Sequence, residues 1–175
     1  DVSTVNGSVT IGAGARAGEV ETVNGSLKIE DKAVVGSAET VNGSITVGAE
    51  AEVQKGVDAV NGSLTLRQGA KVAGGLENVN GSMLVEGARV DGGIETVNGD
   101  IRLATGSHVT GGIHVEEHKS SWWKGKNSRN PRITIEQGVT VAGPLHFERE
   151  GDLYVAPEVN LPPVEGVQPQ RFTLQ

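Results

Sequence analysis

Aliphatic side chains recur about every six residues along most of the chain, with polar residues and glycines between them. One series is Val23, Ile29, Val35, Val41, Val47 and Val53, and another is Val97, Leu103, Val109 and Val115. Three such segments make one 18-residue unit, which predicts a triangular β-solenoid with three short strands per coil and the aliphatic residues of both series facing inward. A β-meander requires hairpin turns and an amphipathic helix requires a 3.6-residue period, so both fit poorly.

The tripeptide Val-Asn-Gly occurs six times, at intervals of 18 or 19 residues. Asn and Gly adopt positive φ more readily than other residues, so the motif predicts one sharp corner in every coil. Pairs of glycines at 74–75, 92–93 and 111–112 predict a second corner. Stacked coils bring the asparagines into a structural ladder whose amides hydrogen-bond along the axis. The predicted ladder is Asn6, Asn24, Asn42, Asn61, Asn80 and Asn98.

The repeat predicts one all-β domain over residues 1–155, a single-stranded, three-faced parallel β-solenoid of about eight coils of 18–19 residues. A loop insertion at about 117–131 lengthens the seventh coil. Residues 156–175 contain four of the six prolines, which predicts an extended, Pro-rich C-terminal tail without strands. Three placements are open for this tail: it covers the last coil, it extends into solvent, or it docks on a neighbouring molecule.

Composition agrees with a solenoid and excludes several other classes. The 26 glycines serve corners, and a chain with only five aromatic residues must build its core from stacked Val, Ile and Leu. A net charge of −7 argues against a nucleic-acid partner, because phosphates require a basic face. The chain has no apolar run of about 18 residues, so we expect no transmembrane segment. The absence of cysteine leaves the redox compartment undetermined.

Alignment of the coils predicts a column of acidic residues: Glu21, Glu39, Asp58, Glu77 and Glu95. Like charges on adjacent strands repel, so this column requires solvent, cations or a basic partner. In coils seven and eight the column continues with His114 and His146. Imidazole and carboxylate ligands suit Zn²⁺ and similar metals, so Glu95, His114 and His146 are a candidate metal site. The alternative is a solvated column that ends in two surface histidines.

The insertion combines aromatic and basic residues. Five basic residues and no acidic residue fall within 119–132, together with both tryptophans. Loops that interrupt a regular scaffold commonly carry function, and Trp with Arg is typical of binding hot spots. Three alternatives are open for the loop: it folds onto the acidic column of its own solenoid, it docks on the acidic column of a neighbouring copy, or it binds a glycan or an anion. The candidate binding residues are Trp122, Trp123, Lys124, Lys126 and Arg129.

Catalytic motifs are missing from the sequence. It contains no nucleophile elbow, Walker loop or zinc-protease signature, so we expect no enzymatic activity and no cofactor. Three-sided solenoids do include acyltransferases that use a histidine, and the six-residue periodicity resembles theirs. A hexapeptide-type acyltransferase is therefore an alternative, with His108, His114, His118 and His146 close together in the chain.

The segments Thr22-Val23-Asn24-Gly25-Ser26-Leu27 and Thr40-Val41-Asn42-Gly43-Ser44-Ile45 resemble bactofilins and related bacterial "VNG"-repeat proteins. The similarity covers most of residues 2–155. Bactofilins are right-handed triangular β-helices that polymerise end to end without nucleotide, often close to the membrane or cell wall. The resemblance therefore implies a right-handed solenoid, favoured over a left-handed one, and a polymer-forming role.

Together these observations predict a structural or interaction scaffold of the bacterial cell envelope. It would associate with itself, as a dimer or polymer, through an open end of the solenoid or through the Trp loop. A glycan or another cell-envelope component is a further possible partner. Because the sequence begins at Asp1 without Met, we expect a signal peptide to have been removed and the protein to lie in the periplasm or envelope. A cytoplasmic, membrane-associated location is the alternative.

Overall fold

Parallel strands stacked in register make up the regular structure of this protein. The computed structural model describes residues 1–117 and 129–172, and there the chain is an all-β solenoid of about eight coils with no helix. The predicted fold class is thus confirmed. The right-handed winding of the solenoid, which the resemblance implies, stays a prediction.

Three faces alternate along the chain. The first face contains β1 (Val2–Asn6), β3 (Arg16–Asn24), β5 (Val34–Asn42), β8 (Val57–Asn61), β11 (Leu76–Asn80), β14 (Ile94–Thr96), β17 (Ile113–Val115), β20 (Leu145–Phe147) and β22 (Val164–Glu165). We number the coils by these strands, from coil one at β1 to coil eight at β20. The second face contains β2 (Val9–Ile11), β4 (Leu27–Ile29), β6 (Ile45–Val47), β9 (Leu64–Leu66), β12 (Ser82–Glu86), β15 (Asp100–Ala104), β18 (Arg132–Ile135), β21 (Asp152–Val155) and β23 (Pro169–Arg171).

The third face contains five strands of two residues each: β7 (Glu52–Val53), β10 (Lys71–Val72), β13 (Arg89–Val90), β16 (His108–Val109) and β19 (Thr140–Val141). In coils one and two this face is formed by the first residues of β3 and β5, and each of these strands then bends through a corner into the first face of the next coil. Every strand pairs in parallel with its counterpart one coil away. The first and third faces therefore join as one 14-stranded sheet, and the second face is a nine-stranded sheet.

Each face directs two side chains per coil into the core. In β4, for example, Leu27 and Ile29 are both 1% exposed, while Lys28 between them faces outward. The largest fully buried side chains are aliphatic or Met, as the shortage of aromatic residues predicts. Phe147 in coil eight is a buried exception.

The valine of Val-Asn-Gly does not face inward, and this part of the sequence prediction is wrong. Val23 and Val41 are 40% and 41% exposed. Their neighbours Thr22 and Thr40 occupy the inward position instead, because each hydroxyl donates to a corner carbonyl, Gly7 O at 3.2 Å and Gly25 O at 3.3 Å. The core thus accepts a small polar residue where it meets the corner.

The predicted asparagine ladder is present over all six residues. Each side-chain Nδ2 donates to the Oδ1 of the asparagine one coil earlier, at 2.9–3.1 Å, in five consecutive steps from Asn24 to Asn98. The last acceptor, Asn98 Oδ1, receives a hydrogen bond of 2.6 Å from the Arg149 guanidinium of coil eight. The ladder is therefore closed at its C-terminal end by a cation.

Glycine is required at this corner mainly by close approach of the coils. A Cβ atom on Gly43 would lie 1.8 Å from the carbonyl oxygen of Gly25, and one on Gly62 would lie 1.8 Å from that of Gly43. No side chain can occupy that space without separating the coils. The Gly column thus sets how tightly consecutive corners stack.

The C-terminal tail differs from the prediction that it contains no strand. Strand β22 pairs with β20, and β23 pairs with β21, so the tail forms a partial ninth coil. Val159 is buried against the core, and Arg171 donates to the carbonyls of Ala156 and Val159 at 2.9 and 2.8 Å. Pro169 is tolerated because it begins an edge strand. Of the three placements considered for the tail, the structure shows it covering the last coil.

Candidate functional site

The outward side chains of the first face form two parallel columns. The first column is the acidic one predicted from sequence, and the strand register confirms its order. Its members are Ser3, Glu21, Glu39, Asp58, Glu77, Glu95, His114, His146 and Glu165. In each coil the second column lies two residues further along the chain. In coils one to four its members are the valines of the repeat.

Between these columns lies an open groove with a volume of about 570 Å³. It runs along coils one to five, with acidic residues on one wall and valines on the other. Its floor includes Thr22, Thr40, Ala59 and Asn78. Asn78 is 2% exposed and donates to Gly62 O at 2.9 Å, and within the described residues its Oδ1 has no hydrogen-bond partner. The groove thus combines a negative wall with an apolar wall.

Asp58 is the acidic residue that the groove perturbs most clearly. Burial, together with the adjacent carboxylates of Glu77 and Glu39, raises its pKa to about 6. A carboxyl group with this pKa is partly protonated under mildly acidic conditions. The column therefore carries less negative charge near pH 6 than its composition implies.

In coils seven and eight both columns change their chemistry. Histidine replaces the acid, at His114 and His146, and glutamate replaces the valine, at Glu116 and Glu148. His114 and His146 are register partners whose ring centroids are 5.3 Å apart. The groove of the earlier coils thus gives way to a cluster of imidazoles and carboxylates.

Close contacts organise this cluster. His114 Nε2 lies 3.2 Å from Glu148 Oε1, and His146 Nδ1 lies 2.9 Å from Glu165 Oε2. The backbone N–H of Glu117 donates to Glu148 Oε2 at 3.1 Å. Two sets of possible metal ligands result, each with its atoms within 4.8 Å of one another: His114 with His146 and Glu148, and Glu95 with His114 and Glu116.

The predicted metal residues are therefore neighbours, but their grouping differs from the prediction. His114 and His146 group with Glu148, while Glu95 groups with His114 and Glu116. Sequence reasoning missed both glutamates. The sequence did contain a signal for them. Glu116 and Glu148 stand at the repeat position that valine occupies in the earlier coils, and a charged residue there indicates that the surface changes locally. His108 lies in β16 on the third face.

The predicted binding loop falls mostly outside the described residues, as do Trp122, Trp123, Lys124, Lys126 and His118. Arg129 is described, and its guanidinium forms an ion pair with Asp100 at the start of β15. The same carboxylate accepts the backbone N–H of Arg132 at 2.9 Å. Arg129 thus contacts its own solenoid, and ligand binding by the loop stays a prediction.

Within residues 1–117 and 129–172, no helix has the length and hydropathy needed to cross a membrane. No protein-family model matches the chain, and neither a curated protein nor a solved structure is significantly similar to it.

Proposed function

We propose that the protein is a non-enzymatic structural scaffold that associates with itself through the N-terminal end of its solenoid. The observation that carries this proposal is the open edge of coil one. Among residues 1–117 and 129–172, strand β1 pairs only with β3 and β2 only with β4, so both strands have a described partner on one side alone. An unpaired parallel edge offers N–H and C=O groups to another strand.

The direction of the backbone groups in β2 supports this use. Val9 donates its N–H to Ser26 O, and Ile11 accepts from the N–H of Glu30, so these alternate residues face coil two. Thr10 between them directs its N–H and C=O to the opposite side, because successive residues of a strand bond to opposite neighbours. Thr10 thus presents an edge donor and acceptor at the end of the solenoid.

Apolar surface accompanies this edge. Val2 and Val5 are 37% and 64% exposed, and in the part of the chain that the structure describes Val5 is the most exposed large hydrophobic residue. At the opposite end β22 and β23 of the tail cover coil eight and are themselves the outermost strands, but they contain only two and three residues, and Pro169 at the start of β23 has no N–H to donate. Because the C-terminal edge has shorter strands and one missing N–H, the N-terminal edge is the better pairing surface, and two chains meet there head to head around a two-fold axis more readily than they form a filament.

Sedimentation velocity over a wide range of concentrations tests the proposal. The full chain is expected to form dimers. Thr10→Pro removes the outward N–H of β2 but leaves its backbone hydrogen bonds to β4 intact, so this variant should be a monomer. Thr10→Ala keeps the N–H and is the matched control, which should dimerise. A full chain that stays monomeric at every concentration, or a Thr10→Pro variant that dimerises as well as Thr10→Ala, contradicts the proposal.

A location in the bacterial cell envelope is part of the proposal, with a cytoplasmic, membrane-associated location as the alternative. The resemblance to bactofilins, which often lie close to the membrane or cell wall, supports a place near the membrane in either case. Fractionation of a bacterium that produces the chain tests it. Recovery with the periplasm or envelope supports this location, and recovery with the cytoplasmic face of the membrane supports the alternative. Recovery in the free cytosol contradicts both.

A further inference from the structure

We propose that His114, His146 and Glu148 form a binding site for one divalent metal ion, with ligands best suited to Zn²⁺. The three side chains come from coils seven and eight, and their ligand atoms lie within 4.8 Å of one another. Two imidazoles and one carboxylate are a common zinc ligand set, which leaves a fourth position for water or another ligand.

Hydrogen bonds outside the ligand set orient two of the three side chains. With its Nδ1 protonated, His146 donates to Glu165 Oε2 at 2.9 Å and keeps the Nε2 lone pair for a metal. Glu148 Oε2 is held by the backbone N–H of Glu117, while Oε1 faces His114. A carboxylate behind a ligating histidine is the usual outer partner in zinc sites, because it fixes the ring and its tautomer.

The distances require only small side-chain movement. Two ligands on a tetrahedral zinc ion are roughly 3.3 Å apart, given bonds of about 2.0–2.1 Å. His114 Nε2 and Glu148 Oε1 are already 3.2 Å apart. The His146 side chain is 46% exposed, so it has room for a small shift toward the other two ligands.

Charge favours a cation at this position. Glu95, Glu116 and Glu165 surround the three ligands, and the strand register keeps Glu95 and Glu165 in the same column as the histidines. Fixed negative charge raises the local concentration of cations. The site also requires a change in both columns of the first face: histidine must replace the acidic residue and glutamate must replace the valine. Both replacements occur in coils seven and eight.

Titration of the full, untagged 175-residue chain with Zn²⁺ at neutral pH tests the proposal. Calorimetry measures the stoichiometry, and competition with a chelator measures the affinity. We expect one Zn²⁺ per chain. The variants His146→Gln and Glu148→Gln should each weaken binding by about 100-fold or more, and Glu165→Gln by about 10- to 100-fold. His108→Gln, which alters a histidine on another face, is the matched control and should leave the affinity unchanged.

Substitution with Co²⁺ gives a test that needs no variant. A site with two imidazoles, one carboxylate and one water gives the intense visible absorption of tetrahedral Co²⁺. Circular dichroism of each variant shows whether the solenoid is intact, so that loss of fold is distinguished from loss of a ligand. Absence of stoichiometric Zn²⁺ binding by the unaltered chain, or an equal loss of affinity in His108→Gln, overturns the proposal.

Discussion

Coils one to six and coils seven to eight share one backbone register but carry different surfaces. The earlier coils repeat the same corner and the same outward columns, with an amide ladder from Asn6 to Asn98. The later coils replace these with histidines, glutamates and Arg149, and they contain the insertion and meet the tail. The comparison shows that inward aliphatic residues and tight corners maintain the solenoid, while the outward columns are free to change.

This freedom explains how a chemical site can be added to a repeat without altering its fold. Ile113 and Leu145 pair in the same register as Leu76 and Ile94, and all four are buried. Only the residues facing solvent differ. The open end of coil one and the His-Glu cluster are therefore independent features at opposite parts of one scaffold.

The largest expected effect comes from filling a corner of the regular coils. Gly62→Ala places a Cβ atom 1.8 Å from Gly43 O, so we expect a loss of about 3 kcal/mol or more in the free energy of unfolding. Gly151→Ala in coil eight brings a Cβ atom to 3.0 Å from the Phe147 ring, a less severe approach, and should lose about 1 kcal/mol. Urea unfolding measures both. Gly12→Ala, which meets nothing within 4 Å, is the control, and equal losses for Gly62→Ala and Gly12→Ala would refute the corner explanation.

A smaller effect is expected where the two regions join. Arg149→Met removes charge-assisted hydrogen bonds to Asn98 Oδ1 and Val97 O, which should lower the free energy of unfolding by about 2 kcal/mol. Asn61→Ala, inside the exposed ladder, should lower it by about 1 kcal/mol because water replaces its partners. Thermal unfolding ranks the two. The exposed Arg67→Met is a control, and a loss from Asn61→Ala that exceeds the loss from Arg149→Met contradicts this account.

The smallest effect concerns the acidic column and depends on pH. The pKa of Asp58 is raised from 3.8 to about 6, so its protonated form stabilises the fold below about pH 4 and this contribution disappears as pH rises through 6. Asp58→Asn keeps the group neutral and should stabilise the protein at pH 7 by about 1 kcal/mol, after allowance for solvent screening. Unfolding measured at pH 4 should show no such gain. Glu21→Gln is the control in the same column, and a gain for Asp58→Asn that does not vary with pH would count against the assigned cause.

The sequence was sufficient to predict the architecture and the register of several columns. Periodic Asn-Gly corners predicted the ladder, and coil alignment placed His114 beside Glu95 and His146, as the strand pairing shows. This succeeded because each coil repeats its neighbour. A position in one coil therefore specifies its neighbours in space.

Deviations from the repeat were harder to predict. Val23 and Val41 are of a residue type common in cores, so the sequence alone suggests that they face inward. The hydrogen bonds of Thr22 and Thr40 to the corner carbonyls show that the threonines face inward and the valines outward. The tail strands were missed because proline-rich segments rarely enter a sheet. Here they form an outermost edge, where a missing N–H has no strand to bond.

The most direct test of the central claim, association through the N-terminal end, is the distance between equivalent residues of two chains. The chain contains no cysteine, so single spin labels at Ser8→Cys and Asn160→Cys mark the two ends without further changes. Double electron–electron resonance should give a short distance between labels at residue 8. The labels at residue 160 should be farther apart by about two solenoid lengths, roughly 75 Å at about 4.8 Å per coil. A short distance at residue 160, equal distances at both sites, or no distance at either site would contradict head-to-head association.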